Sequence, residues 1–331
     1  MSTLSINALD ALLKQNINRP ADLMRERFNG VNEILAYVTP YLIQSGKMPL
    51  PRLNTGRIVT HNNGANKDAF VAKEDVMKLS NRWLDPQYGK INFALKESEI
   101  LALWNSYLFK LGSYPTQTAI KDYMAKFPFE DVIYDEIAKR SYKDILDDSF
   151  KGVVGSGSDS PIDGLLSKII AAITPASVGA PTEIPAAQVA DTSNFTESNV
   201  LTELKKVFAK VAATPGALRL ALDIHVAPEV EWLYNTHKEG LSKAYVPIIR
   251  DGHTVPGELP NARFVPNSGL QGTNAVIITM KENLSFGMNI LPGQITMRTD
   301  VIDYDLRVYG QVHYDINFND GRYMWVNDNL A

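Results

Sequence analysis

The longest stretch of helical periodicity runs from Phe129 to Phe150. There Ile133, Ile137, Tyr142, Ile145, Leu146, Ser149 and Phe150 recur mostly at three- and four-residue steps. That spacing stacks them along one side of a 3.6-residue helix, while Glu130, Asp131, Lys139, Arg140, Lys143, Asp144 and Asp147 take the other sides. The pattern predicts a rod over residues 129–150. Gly152 then stands where a left-handed C-terminal cap would end it, and a Gly/Ser loop leads into a second, short apolar helix. A long rod with a fixed stop points to architecture rather than catalysis. A second stripe follows Pro20: Met24, Phe28, Val31, Leu35, Val38 and Leu42 alternate gaps of four and three, with Pro40 placed to break or kink the helix near its end. Its apolar side faces either the chain's own core or a neighbouring chain. A further short helix is expected over residues 5–14.

Between residues 52 and 95 the pattern changes to short β-prone pieces, at residues 57–60, 69–72 and 90–95, separated by polar turns that include Asn63-Gly64. This predicts a hairpin-like excursion with too few apolar residues for a core of its own, lying on its own domain or on a partner. Helices follow at 99–111 and 117–126, then the rod. Residues 171–194, rich in Ala, Pro, Thr and Ser, read as an irregular loop. A helix carrying Val200, Leu204, Val207 and Val211, a strand at 222–226 and a helix opening at Pro228 form an α+β unit inserted after the rod. Strands at 275–280, 293–298, 304–314 and 323–326 close the chain.

Composition narrows the function classes. The chain has 331 residues, 45% hydrophobic and 21% charged, enough for one large core or two modest ones. Lys+Arg 33 against Asp+Glu 37 gives a net charge of -4, without the basic excess of a phosphate-gripping protein. Cys 0 excludes disulfides, thiolate metal sites and cysteine nucleophiles. No apolar run approaches bilayer length, and Met1 to Ser5 lacks a signal pattern, so synthesis and use in a cytosol, or in something assembled there, are expected. His61, His225, His237, His253 and His313 lie far apart and read as surface or half-buried side chains. Gly46-Lys47 lacks the upstream glycine of a phosphate loop, and Ser156 and Ser158 do not fit a nucleophile turn. No catalytic, cofactor-binding or metal-binding residue is therefore named.

With motifs silent, the order of segments carries the information. Three stretches stand out: Pro161-Ile162-Asp163-Gly164-Leu165-Leu166 after the rod, Asp223-Ile224-His225-Val226-Ala227-Pro228 in the inserted unit, and Asn283-Leu284-Ser285-Phe286-Gly287 before the closing strands. In these and in segment order the chain resembles the major capsid proteins of tailed double-stranded DNA bacteriophages, the Hong Kong ninety-seven type of shell fold. The resemblance implies an α+β fold with an N-terminal arm (1–53), an extended β-hairpin loop (54–95), a peripheral domain (96–155 and 275–331) with a spine helix at 129–150, and an inserted apical domain (156–274). It implies a structural protein without enzymatic activity or cofactor, self-assembling into hexamers and pentamers of an icosahedral shell. Such a subunit would work with a separate scaffolding protein, a portal and decoration proteins, and would enclose double-stranded DNA without sequence-specific or membrane binding. It would reside in the virion after assembly in the host cytoplasm.

Within this picture the mixed-sign loop would lie across a neighbouring subunit and set its register by charge complementarity. Its basic residues are Arg57, Lys67, Lys73, Lys78, Arg82 and Lys90, and its acidic ones Asp68, Glu74, Asp75 and Asp85. Three alternatives stay open. They are an encapsulin-like compartment, an α+β enzyme using groups in residues 199–314, and a tail or adhesion protein binding through loops at 171–194 and 251–272.

Overall fold

The computed structural model describes residues 34–43, 46–55, 77–113, 116–126, 129–155, 159–174, 182–241, 246–289, 296–302 and 305–330. The expected helix at 5–14, most of the stripe after Pro20, the β pieces at 57–60 and 69–72 and the Asn63-Gly64 turn lie outside them. In chain order the first half contains β1 (Thr39–Leu42), β2 (Met48–Thr55), β3 (Met77–Leu84), β4 (Gln87–Leu95), α1 (Glu97–Gly112), α2 (Gln117–Lys126), α3 (Phe129–Lys151) and α4 (Leu165–Ile173). The second half contains β5 (Val189–Ala190), α5 (Val200–Ala213), β6 (Leu222–Val226), α6 (Pro228–Leu241), β7 (Ile248–Arg250), β8 (His253–Val255) and β9 (Ala262–Pro266). It closes with β10 (Val276–Thr279), β11 (Leu284–Met288), β12 (Thr296–Ile302), β13 (Asp305–Phe318) and β14 (Met324–Asn327).

Two five-stranded sheets organise the mixed α+β body. The first runs β1-β11-β13-β12, with β4 on the other side of β13. Its axis is the 14-residue β13, whose partners are β4 over Leu306 to Tyr314, β12 over Asp305 to Gln311 and β11 over Tyr314 to Phe318. Strand β4 thus belongs to this sheet, although the sequence groups it with the excursion, and β2 starts at Met48, inside the stretch read as the arm. The second sheet runs β5-β14-β10-β6-β9. Strands β6, β10 and β14 are buried at every position, which is why Val276-Ile277-Ile278 shows no alternation: both faces are covered. Helix α5 presents Val200, Leu204, Val207 and Val211 to this sheet's β5 and β14 side.

Helix α3 forms as its periodicity predicts, and Tyr142, Ile145, Leu146, Ser149 and Phe150 are buried. Its C-terminal end packs against α4, β13 and the Ser268–Leu270 turn after β9. Phe150 is fully buried beside Gly269, where a Cβ would stand 2.6 Å from the ring, so only glycine lets the aromatic seat. Burying a Phe side chain contributes about 2–3 kcal/mol.

Several expectations are corrected. Gly152 does not adopt the left-handed region; among the described residues the positive-φ glycines are Gly46, Gly216, Gly252 and Gly272. Gly152 is instead a crossing point. A Cβ there would meet the Asp148 carbonyl, with Ser160 Oγ at 2.5 Å and the Ile162 carbonyl at 2.7 Å, while Gly164 N–H donates to the Gly152 carbonyl at 2.8 Å. The stripe after Pro20 ends as helix at Tyr37. Pro40 disfavours helix at the preceding residue, so Thr39 to Leu42 extends alongside β11 and Leu42 is exposed. The loop expected at 171–194 begins inside α4 and contains β5, with Ala190 buried in the second sheet, while 191–194 are irregular as expected. Likewise 251–272 is no free loop: it contains β8 and β9, and Phe264 is fully buried.

Candidate assembly surfaces

Strands β2 and β3 pair antiparallel from Met48 opposite Leu84 to Thr55 opposite Met77, forming a two-stranded sheet separate from the two larger ones. At its base a small cluster of Ile43, Leu50 and Leu84, with Tyr41 and Met48 against it, is distinct from the main core. Around the cluster sits a polar joint. The Arg82 guanidinium lies 3.6 Å over the Phe318 ring, donates to Asn317 Oδ1 at 2.7 Å and pairs with Glu183. Asn317 Nδ2 donates to the Trp83 carbonyl at 2.9 Å, and the Asp85 N–H donates to Asp315 Oδ2, also at 2.9 Å. Lys168 of α4 supplies the counter-charge to Asp315 at 2.5 Å. Burial still pushes the Asp315 carboxyl above its ordinary range. Arg82 and Asp85, read from sequence as charges offered to a neighbour, thus serve their own chain. The sequence carries no signal for this, because Asn317 and Glu183 are remote in the chain.

A cleft of about 1420 Å³ opens between β4, α1 and α3, floored by Ile91, Phe93 and Tyr314 and edged by Arg140, Asp144 and Asp147. The rim charges are largely paired: Arg140 with Asp144 at 3.0 Å, and Lys151 with Asp147 at 3.0 Å. On the floor Tyr314 donates its hydroxyl to Asp148 Oδ2 at 2.7 Å, tying α3 to β13. Burial pushes both groups upward, the carboxyl of Asp148 and the phenol of Tyr314. Asp148 is also hydrogen-bonded by Ser160, and the neighbouring Asp144 and Asp147 push its carboxyl further up, so the group fastens α3 to β13 and to the loop that follows α3. Among the described residues no three His, Cys, Asp or Glu side chains cluster as a metal site, and no helix is long and apolar enough to cross a membrane.

The histidines divide. His237 meets the Glu197 carbonyl at 2.6 Å, and His313 accepts from Asn289 Nδ2 at 2.9 Å; both stay partly exposed. His61 lies outside the described residues. His225, read as a surface or half-buried side chain, is fully buried in β6 with neither ring nitrogen hydrogen-bonded, and Tyr37 stands edge-on to it at 6.2 Å. Burial pulls its imidazole from 6.5 to about 4. The clue in the sequence was its place in a continuous strand run, Leu222-Asp223-Ile224-His225-Val226, buried on both faces.

Large apolar side chains remain on the surface, notably Phe109, Trp232, Val246, Ile248 and Ile249, each more than half exposed. Strand β7 is open at all three positions. Isolated exposed apolar groups are ordinary, but a strand with apolar residues on both faces invites contact with another chain.

No family model and no curated protein matches the sequence. Solved structures do match. A chain of the satellite phage P4 procapsid, whose structure includes the size determination protein, is similar at 14% identity and a TM-score of 0.57 over 94% of this chain and 91% of that one. A chain from the capsid of an empty GTA particle is similar at 9% identity and 0.54, covering 90% and 96%. One from Gordonia phage Cozz is similar at 13% and 0.52, covering 89% and 85%. The fold of the chain is therefore the α+β fold found in phage capsid particles, shared over nearly its full length.

Proposed function

We propose that this chain is the major capsid protein of a tailed double-stranded DNA bacteriophage, a structural subunit that self-assembles into hexamers and pentamers of an icosahedral shell. The observation that carries the reading is the likeness to the procapsid and capsid chains over about nine tenths of both molecules at very low sequence identity. Nearly the whole backbone plan recurs in chains of those particles, which supports the same structural role for this one. The chain's own architecture supports it. A two-stranded hairpin anchored on a separate small cluster, an open β7 and exposed Trp232 and Phe109 give surfaces for weak contacts repeated around symmetry axes.

In this reading residues 1–53 are the arm, 54–95 the extended loop, 96–155 and 275–331 the peripheral domain with its spine helix, and 156–274 the apical domain. Strands β2 and β3 pair with each other, and β4 pairs with β13. Scaffolding, portal and decoration proteins are its partners, assembly takes place in the host cytoplasm, and the shell encloses DNA without reading sequence. The subunit is no enzyme. The test is co-expression with the neighbouring genes followed by electron microscopy of the product, where closed shells support the reading and a lasting monomer refutes it. Nucleic acid inside those shells separates a phage coat from a compartment holding enzymes.

A further inference from the structure

On the strength of the coat function, which gives the β2–β3 hairpin to contacts between copies, we propose that Arg82 is a positioning residue that fixes the angle at which the hairpin leaves the body. Its guanidinium joins three parts of the chain. From β3 it reaches Asn317 and the Phe318 ring, both on β13, and Glu183, in the segment between α4 and β5. A planar fork resting on a ring and bonded in two directions holds an orientation that a flexible ammonium does not. The small apolar cluster of Ile43, Leu50 and Leu84 keeps the hairpin attached but has no directional bonds, so it tolerates rotation. Direction comes from the polar joint. Trp83 and Asp85, close to Arg82 at the end of β3, are tied to Asn317 and Asp315 of the same strand β13, which makes the joint a line of contacts rather than a point.

Because Glu183 and Lys168 lie with α4 and Asp315, Asn317 and Phe318 lie on β13, the joint also ties the hairpin's angle to the distance between α4 and the first sheet. Subunits in a closed shell need one hairpin angle within each type of contact. Releasing Arg82 therefore gives a folded subunit that samples many angles.

The absence of cysteine makes the experiment direct. Cysteines replace Asn54 near the far described end of β2 and Glu282 on the body. Spin labels on them report a distance distribution in the full-length chain before assembly. The wild type should give a single narrow peak. Arg82→Ala and Arg82→Lys should both lose that peak, with circular dichroism unchanged, and the exposed change Glu183→Gln should broaden it without any risk to folding. A narrow peak retained in all three variants would overturn the proposal. The readout does not depend on shells: a broadened peak in a chain that never assembles keeps the joint and discards the coat reading, and an unbroadened peak in a chain that forms shells does the reverse.

Discussion

Replacing His225 with Phe removes the only polar atoms of a side chain that has no hydrogen-bond partner in the middle of β6. The ring stays, so the edge-on contact with Tyr37 stays. What changes is the coupling of stability to acid. Burial is the main reason that the imidazole titrates at about 4 instead of 6.5. Asp223 works against that shift, while Arg263 on β9 and Lys281 after β10 add to it. The unfolded chain takes up a proton as pH falls through 6.5, whereas the folded chain refuses it until about pH 4. Stability contributed by the neutral buried form is thus complete above pH 6.5 and is lost progressively down to about pH 4. A gap of about 2.5 pH units at about 1.4 kcal/mol each makes the loss about 3 kcal/mol. In a chain of this size that is a change of about 5 °C in Tm. The assay is thermal or urea unfolding of wild type and His225→Phe at steps from pH 7.5 to 4. Carboxylates such as Glu203, held low by Lys206, act equally in both proteins and cancel in the difference. The variant should gain on the wild type by about 3 kcal/mol across that window. Parallel curves would show that water or a polar group reaches the imidazole, and would refute the reasoning.

Gly152→Val should destabilise by about 2 kcal/mol or more, because two of the three atoms the new Cβ meets are backbone oxygens, which cannot swing aside as the Ser160 hydroxyl can; a neutral result in urea unfolding would remove the crossing of Gly152 with Ile162 and Gly164. Leu146→Ala in α3 should cost about 2–5 kcal/mol, measured the same way, since the side chain is buried against the main core. Trp232→Ser and Ile249→Ser should leave the unassembled subunit's stability within about 0.5 kcal/mol yet raise the concentration at which assembly begins by light scattering. Unchanged assembly in both would clear these surfaces of a role.

Helix α3, helix α6 opening at Pro228 and strand β6 were legible because each is written locally, in 3.6-residue spacing, in a proline that suits a first turn, and in a short apolar run. The partners of the strands were not. Periodicity marks β13 as a strand but cannot say that β4, β11 and β12 share it, because those pairings link segments up to more than two hundred residues apart. The same distance hides the joint around Arg82, whose charge looks like any solvated surface charge until Phe318 and Asn317 arrive beneath it. Gly152 was rightly singled out for the wrong cause: sequence suggests handedness, whereas the fold demands room. His225 escaped notice because histidines are usually wet, and only burial on both faces of β6 makes it otherwise.

The most direct test of the account is the mass and form of the assembled product, by light scattering and negative-stain electron microscopy of the purified chain, alone and with its neighbouring genes. Hollow shells, tubes, or rings of five or six subunits are the predicted result. A monodisperse monomer or dimer under both conditions would contradict the claim that this fold serves here to build a shell.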